Sequence, residues 1–105
     1  MKILVGRIRV RLFAAHSLKE KRKTLKSLMK KISRHHGASV REIAAQDLHQ
    51  IVELGFSVTV LTETEARNMI YDIEQTIWNN IESEGELILY ETECVLPGLD
   101  EDRMI

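Results

Sequence analysis

Residues 2–36 read KILVGRIRVRLFAAHSLKEKRKTLKSLMKKISRHH, and the change of period inside them decides the fold. Over residues 2–13 the side chains alternate. Leu4, Ile8, Val10 and Leu12 share one face with Gly6; Ile3, Val5, Arg7, Arg9, Arg11 and Phe13 share the other. A period of two predicts a strand with one dry face and one face that turns basic. From Ser17 the period becomes helical. Leu18, Leu25, Leu28, Met29 and Ile32 form one apolar stripe over residues 17–36. Ser17 can cap the first turn, Glu20 can close a capping box, and Gly37 can end the helix in a left-handed conformation. Around the stripe stand Lys19, Lys21, Arg22, Lys23, Lys26, Lys30, Lys31 and Arg34, with Glu20 the sole acid.

The rest of the chain repeats the alternation of strand and helix. Residues 38–43 form a short strand whose apolar residues break strict alternation, so a bulge or an early end is expected. Residues 44–50, AAQDLHQ, form a loop or a locally helical link. Residues 51–61 give a regular strand, with Val52, Leu54, Phe56, Val58 and Val60 on one face. Thr62 and Glu65 repeat the capping-box spacing. The helix behind them runs to about residue 82 on a stripe of Ala66, Ile70, Ile73, Ile77 and Ile81. A turn around Gly85 leads to the last strand, residues 87–96. There Ile88, Tyr90, Thr92, Cys94 and Leu96 are expected on the core side, and Leu87, Leu89, Glu91, Glu93 and Val95 on the other. Pro97 and Gly98 stop that strand.

Two amphipathic helices cover one face of a four-stranded sheet. The expected architecture is therefore an α+β, ferredoxin-like two-layer sandwich, βαββαβ, with an antiparallel sheet in the order 4-1-3-2. Residues 1–97 are expected to make one domain and residues 98–105 an acidic tail, in which Leu99, Met104 and Ile105 can fold back on the sheet. Glu91 and Glu93 are expected to neutralise Arg7, Arg9 and Arg11 across the uncovered face.

The formal net charge is −1, but residues 1–36 hold seven lysines and five arginines against one glutamate, and residues 37–105 hold three arginines against fifteen acids. Either the halves interleave and neutralise each other, or one side of the domain is a positive patch able to steer a polyanion. No apolar run reaches membrane-span length, the N-terminus shows no signal-peptide pattern, and the single cysteine, Cys94, suits a reducing compartment. A cytoplasmic protein without membrane partners is expected.

Site motifs are sparse. The four histidines and Cys94 show no metal-ligand spacing, and the five glycines are scattered, without a phosphate loop. No catalytic residue, metal or cofactor is assigned. A weak loop site remains at Gln46, Asp47 and His49, where an Asp–His pair can do acid–base work or cap a turn. The polyanion-binding candidates are Lys19, Lys21, Arg22, Lys23, Lys26 and Lys30 of the helix and Arg7, Arg9 and Arg11 of the strand. Base stacking is disfavoured, because the central strands carry no aromatic stack on the uncovered face. That face also carries Ile3, Val5, Ile51, Leu87 and Leu89, enough apolar surface for a homodimer or a protein partner.

Three stretches together resemble the YlxP-like family of small bacterial proteins of unknown function: VGRIRVRL at Val5–Leu12, SLKEKR at Ser17–Arg22, and SVREIAAQDLHQIVELG at Ser39–Gly55. In the last, Ser39, Val40, Glu42, Ile43, Gln46, Asp47, Leu48, Gln50 and Gly55 fit the family's pattern. His49 stands where an aromatic is usual, and Ile51–Val52 replace a frequent Arg-Ala pair. The resemblance covers about residues 2–96 and implies a ferredoxin-like fold and a cytosolic bacterial protein. Its genes often neighbour those of translation initiation and ribosome maturation factors, which implies ribosomal RNA, the ribosome or a translation factor as partner. Three functions fit: an RNA-facing accessory protein using the basic helix, a protein-interaction or homodimer module using the uncovered sheet face, and a small enzyme at Asp47 and His49.

Overall fold

The computed structural model describes residues 1–96. The expected acidic tail, with Pro97 and the fold-back of Leu99, Met104 and Ile105, lies outside the described residues. The elements are β1 (Lys2–Leu12), α1 (Leu18–His36), β2 (Ser39–Ala44), β3 (Ile51–Val60), α2 (Glu63–Ile81) and β4 (Gly85–Val95). The sheet runs β2-β3-β1-β4 with every neighbouring pair antiparallel, the expected 4-1-3-2 order.

Both helices begin at the predicted caps. The Glu20 and Glu65 amides donate to Ser17 Oγ and Thr62 Oγ1 at 3.2 and 3.1 Å. Each glutamate carboxylate reaches back one residue beyond its cap, accepting from the His16 and Leu61 amides at 2.8 and 2.9 Å. One orphan donor of each helix start, and the amide just before each cap, are thereby satisfied. Gly37 closes α1 with a φ of 65°, in the left-handed region.

The core lies between the helices and one sheet face. Leu4, Ile8, Val10 and Leu12 of β1 and Val52, Leu54, Phe56, Val58 and Val60 of β3 are buried there. They meet Leu25, Leu28 and Ile32 of α1 and Ala66, Ile73, Ile77 and Ile81 of α2. Gly6 makes room for one of these side chains: a Cβ at Gly6 would sit 2.2 Å from the Phe56 ring, its neighbour across the β1–β3 ladder. Gly6→Ala is expected to cost about 1–3 kcal/mol, the usual penalty for overpacking. A thermal melt checks this, and Gly6→Ala with Phe56→Leu should recover part of the loss.

Two expectations about β4 are corrected. The β1–β4 register shifts between Arg9 and Val10: Arg9 faces Leu89 and Val10 faces Leu87, which leaves Ile88 as the extra residue of a bulge. A bulge resets the alternation. Leu87 therefore lies on the core side, packed against the core, and not on the uncovered face. Gly85 is the first residue of β4 rather than the centre of a turn. Glu82, with a φ of 42°, makes that turn, and Gly85 is needed because a Cβ there would meet the Arg11 carbonyl oxygen at 2.5 Å. Cys94 faces the helix side, opposite Leu4, but is exposed, because it lies near the far end of an edge strand. In β2 the expected irregularity is present: the pairing with β3 shifts between Glu42 and Ala44.

Candidate nucleic-acid interface

The arginine row of β1 faces the uncovered side of the sheet, as alternation dictates, and each member has a carboxylate partner. Arg7 Nη2 pairs with Glu91 Oε1 at 3.0 Å, Arg9 Nε with Glu53, and Arg11 Nη2 with Glu86 Oε1 at 2.8 Å. The neutralisation was expected, but of its two expected acids only Glu91 takes part. The bulge at Ile88 brings Glu86 opposite Arg11, and Glu53 of β3 lies opposite Arg9. The Arg11 guanidinium also lies over the Phe13 ring, 5.3 Å from its centroid. The exposed Arg7–Glu91 and Arg11–Glu86 pairs stabilise by roughly 0–1 kcal/mol. Their larger effect is electrostatic, since the row offers no net positive surface.

The helix differs. Lys19, Arg22, Lys23, Lys26, Lys30, Lys31 and Arg34 are all exposed. Among the described residues none of them is in an ion pair. Lys19, Lys23, Lys26, Lys30 and Arg34 recur every three or four residues, so they form one ridge, opposite the buried stripe.

Lys21 does not belong to that ridge, which corrects its place among the polyanion-binding candidates. It is 1% exposed and shares the core-facing stripe with Leu25, Leu28 and Ile32. Its Nζ lies 3.0 Å from Glu42 Oε2 of β2 and donates to the Ala45 carbonyl at 2.7 Å. Ala45 has a φ of 61°, a conformation that costs an alanine energy. Lys21 is thus a strut from the first turn of α1 to the end of β2. The signal was available in sequence. The apolar stripe has a gap between Leu18 and Leu25, and Lys21 fills it.

Gln46, Asp47 and His49 are exposed in the turn between β2 and β3, where the Leu48 amide donates to the Ala45 carbonyl at 3.0 Å. No hydrogen bond joins Asp47 to His49 among the described residues. Nor do three His, Cys, Asp or Glu side chains gather there into a metal-ligand group. A shallow cleft of about 500 Å³ beside α1 mixes Glu20, Lys23, Lys31 and Glu84, and its Ser27 hydroxyl is held by Asn80 Oδ1 at 2.9 Å.

His36 sits at the seam between the helices, with Nε2 2.8 Å from Thr76 Oγ1. Burial pushes its pKa below the usual 6.5 and His35 lowers it further, against an opposing pull from Asp72. As pH falls through about 6.5 the unfolded chain takes up this proton first. Stability should therefore be fully present above that pH and decline below it, down to the depressed folded value. Melting temperatures from about pH 8 to pH 5 check this; His36→Gln should flatten the acid side of the profile.

A family model described as a protein of unknown function, DUF503, matches residues 3–92, from β1 through most of β4. The chain belongs to the DUF503 family. That description names no activity, and no curated protein matches the chain. Among solved structures, the DUF503 chain is similar to a candidate chlorite dismutase, with a TM-score of 0.55 and 11% identity over 90% of this chain and 44% of that one. It thus spans less than half the length of that protein. It is also similar to the de novo designed protein LFR1 1 with ferredoxin fold, with a TM-score of 0.51 and 14% identity over 96% and 91% of the two chains. For the designed protein Foldit4 the values are 0.54 and 13%, over 90% and 98%. At these identities the likeness shows the ferredoxin fold alone. Among the described residues of the DUF503 chain no helix is long and apolar enough to cross a membrane.

Proposed function

We propose that this DUF503 protein is a non-enzymatic, RNA-binding accessory protein of the translation apparatus, which holds phosphate backbone on the outer face of α1. One observation carries the reading: the exposed cations of α1 have no ion-pair partner among the described residues, whereas all three β1 arginines do. The ridge from Lys19 to Arg34 spans about 22 Å at 1.5 Å per residue. Its successive cations rise by roughly 4.5–6 Å, a spacing suited to consecutive phosphates of a strand.

Lys19, Arg22, Lys23, Lys26 and Lys30 are the contact residues in this reading, with Lys31 and Arg34 extending them. Lys21 acts only as their structural support. The uncovered faces of β1 and β3 carry no aromatic residue, and Phe56 lies in the core. Bases are therefore not stacked on the sheet, and recognition follows backbone shape and charge rather than sequence. The resemblance to the YlxP-like family, with its translation-linked gene neighbours, favours ribosomal RNA and a cytoplasmic setting.

The test is co-sedimentation of the purified protein with isolated ribosomal subunits and with total RNA, before and after nuclease treatment. Association at low salt that nuclease abolishes is the expected result. Association that survives complete RNA digestion, or none at low salt, contradicts the proposal.

A further inference from the structure

The uncovered face of the sheet is unlike the rest of the surface. Ile3, Val5, Leu89 and Val95 line one side of it, and Ile43 and Ile51 the other. Between them run the arginine–carboxylate pairs. Among the described residues four arginines lie on this face, the β1 row and Arg41, and four glutamates match them in number: Glu53, Glu86, Glu91 and Glu93. Its net charge is zero. A polyanion gains nothing there, and a partner of either strong charge is not selected. A second copy of the same face meets no repulsion, and each arginine row can face glutamates across a two-fold axis.

We propose that this face is a self-association surface and that its occupant is a second copy of this chain, packed sheet to sheet. Two further observations support that occupant. Glu53 is 7% exposed on a face that no other element of the described residues covers, shielded beside Arg9. The desolvation that opposes burying a carboxylate is therefore largely incurred within one copy. The area is also sufficient. Strands of 11, 6, 10 and 11 residues, about 4.8 Å apart and rising roughly 3.3 Å per residue, present about 600 Å² per copy. Two copies bury about 1,200 Å², at the lower bound of specific interfaces, so the dimer should dissociate on dilution. In such a pair both α1 ridges point outward on opposite sides, so the inference stands whether or not α1 binds RNA.

The test is sedimentation velocity of nuclease-treated protein from low micromolar to submillimolar concentration. The expected mass rises from that of the 12.1 kDa chain to about twice that value. Leu89→Lys and Ser57→Arg, both at half-buried positions of this face, should hold the protein at the single-chain mass while their melting temperatures stay close to that of the parent. Lys26→Glu, on α1, should leave the dimerisation curve unchanged. A parent protein that keeps the single-chain mass throughout overturns the proposal, and so does a dimer that survives both sheet-face changes or is lost in the α1 change.

Discussion

Lys21→Met should be among the most destabilising substitutions in this protein, costing about 3–5 kcal/mol. Lys21 is buried, its Nζ meets Glu42 Oε2 at 3.0 Å, and it donates to the Ala45 carbonyl at 2.7 Å. Methionine keeps the stem and removes the charge. Glu42 Oε2 has no hydrogen-bond partner apart from this ion pair, so the variant leaves a carboxylate oxygen without compensation. The Ala45 carbonyl loses a donor as well, at a residue whose φ of 61° already strains the loop. Small domains hold only about 5–15 kcal/mol in total, so this loss is large. The pair is not expected to outperform hydrophobic packing: Lys21→Met combined with Glu42→Leu should recover most of the stability. Urea unfolding of the two single variants and the double variant measures the coupling. A single-variant cost below about 1 kcal/mol would mean that solvent, not Lys21, satisfies Glu42.

The second large effect concerns binding. Reversing Lys23, Lys26 and Lys30 together to glutamate should lower RNA affinity about a hundredfold or more near physiological salt. Each change removes a phosphate contact and adds a like charge. All three side chains are exposed, so the melting temperature should stay close to that of the parent. Arg7→Gln with Arg11→Gln is the control on the sheet face. Those arginines pair with Glu91 and Glu86 on the neutral face, and their loss should change affinity little. A comparable loss in the arginine variant, which alters the charge far less, would contradict the assignment of binding to α1.

The fold was legible because local signals agreed with one another. Two Ser/Thr…Glu caps, the Gly37 stop and a switch between periods of two and 3.6 placed every element to within a few residues. What sequence reading missed lay where a tertiary contact overrode the local pattern. A bulge leaves no mark in a run such as LILYETECV, and it turned Leu87 to the core and brought Glu86 to Arg11. The gap in the apolar stripe marked Lys21 as inward-facing, but its partners, Glu42 and the Ala45 carbonyl, are more than twenty residues away and leave no local mark. Alternation puts Glu53 on the outward face of β3, and its register with Arg9, which the sequence does not show, accounts for its burial. The charge asymmetry was visible at once. Which half of it stays unpaired, the α1 lysines rather than the β1 arginines, depends on long-range pairing that composition does not encode.

The most direct test of the central claim is the salt dependence of binding to a single-stranded RNA, followed by fluorescence anisotropy. Five backbone contacts predict a slope of log affinity against log salt of about −3.5, and Lys23→Ala with Lys26→Ala and Lys30→Ala should make it shallower by about 2. A slope near zero, or one unchanged by those three substitutions, would contradict the assignment of α1 as the surface that holds RNA.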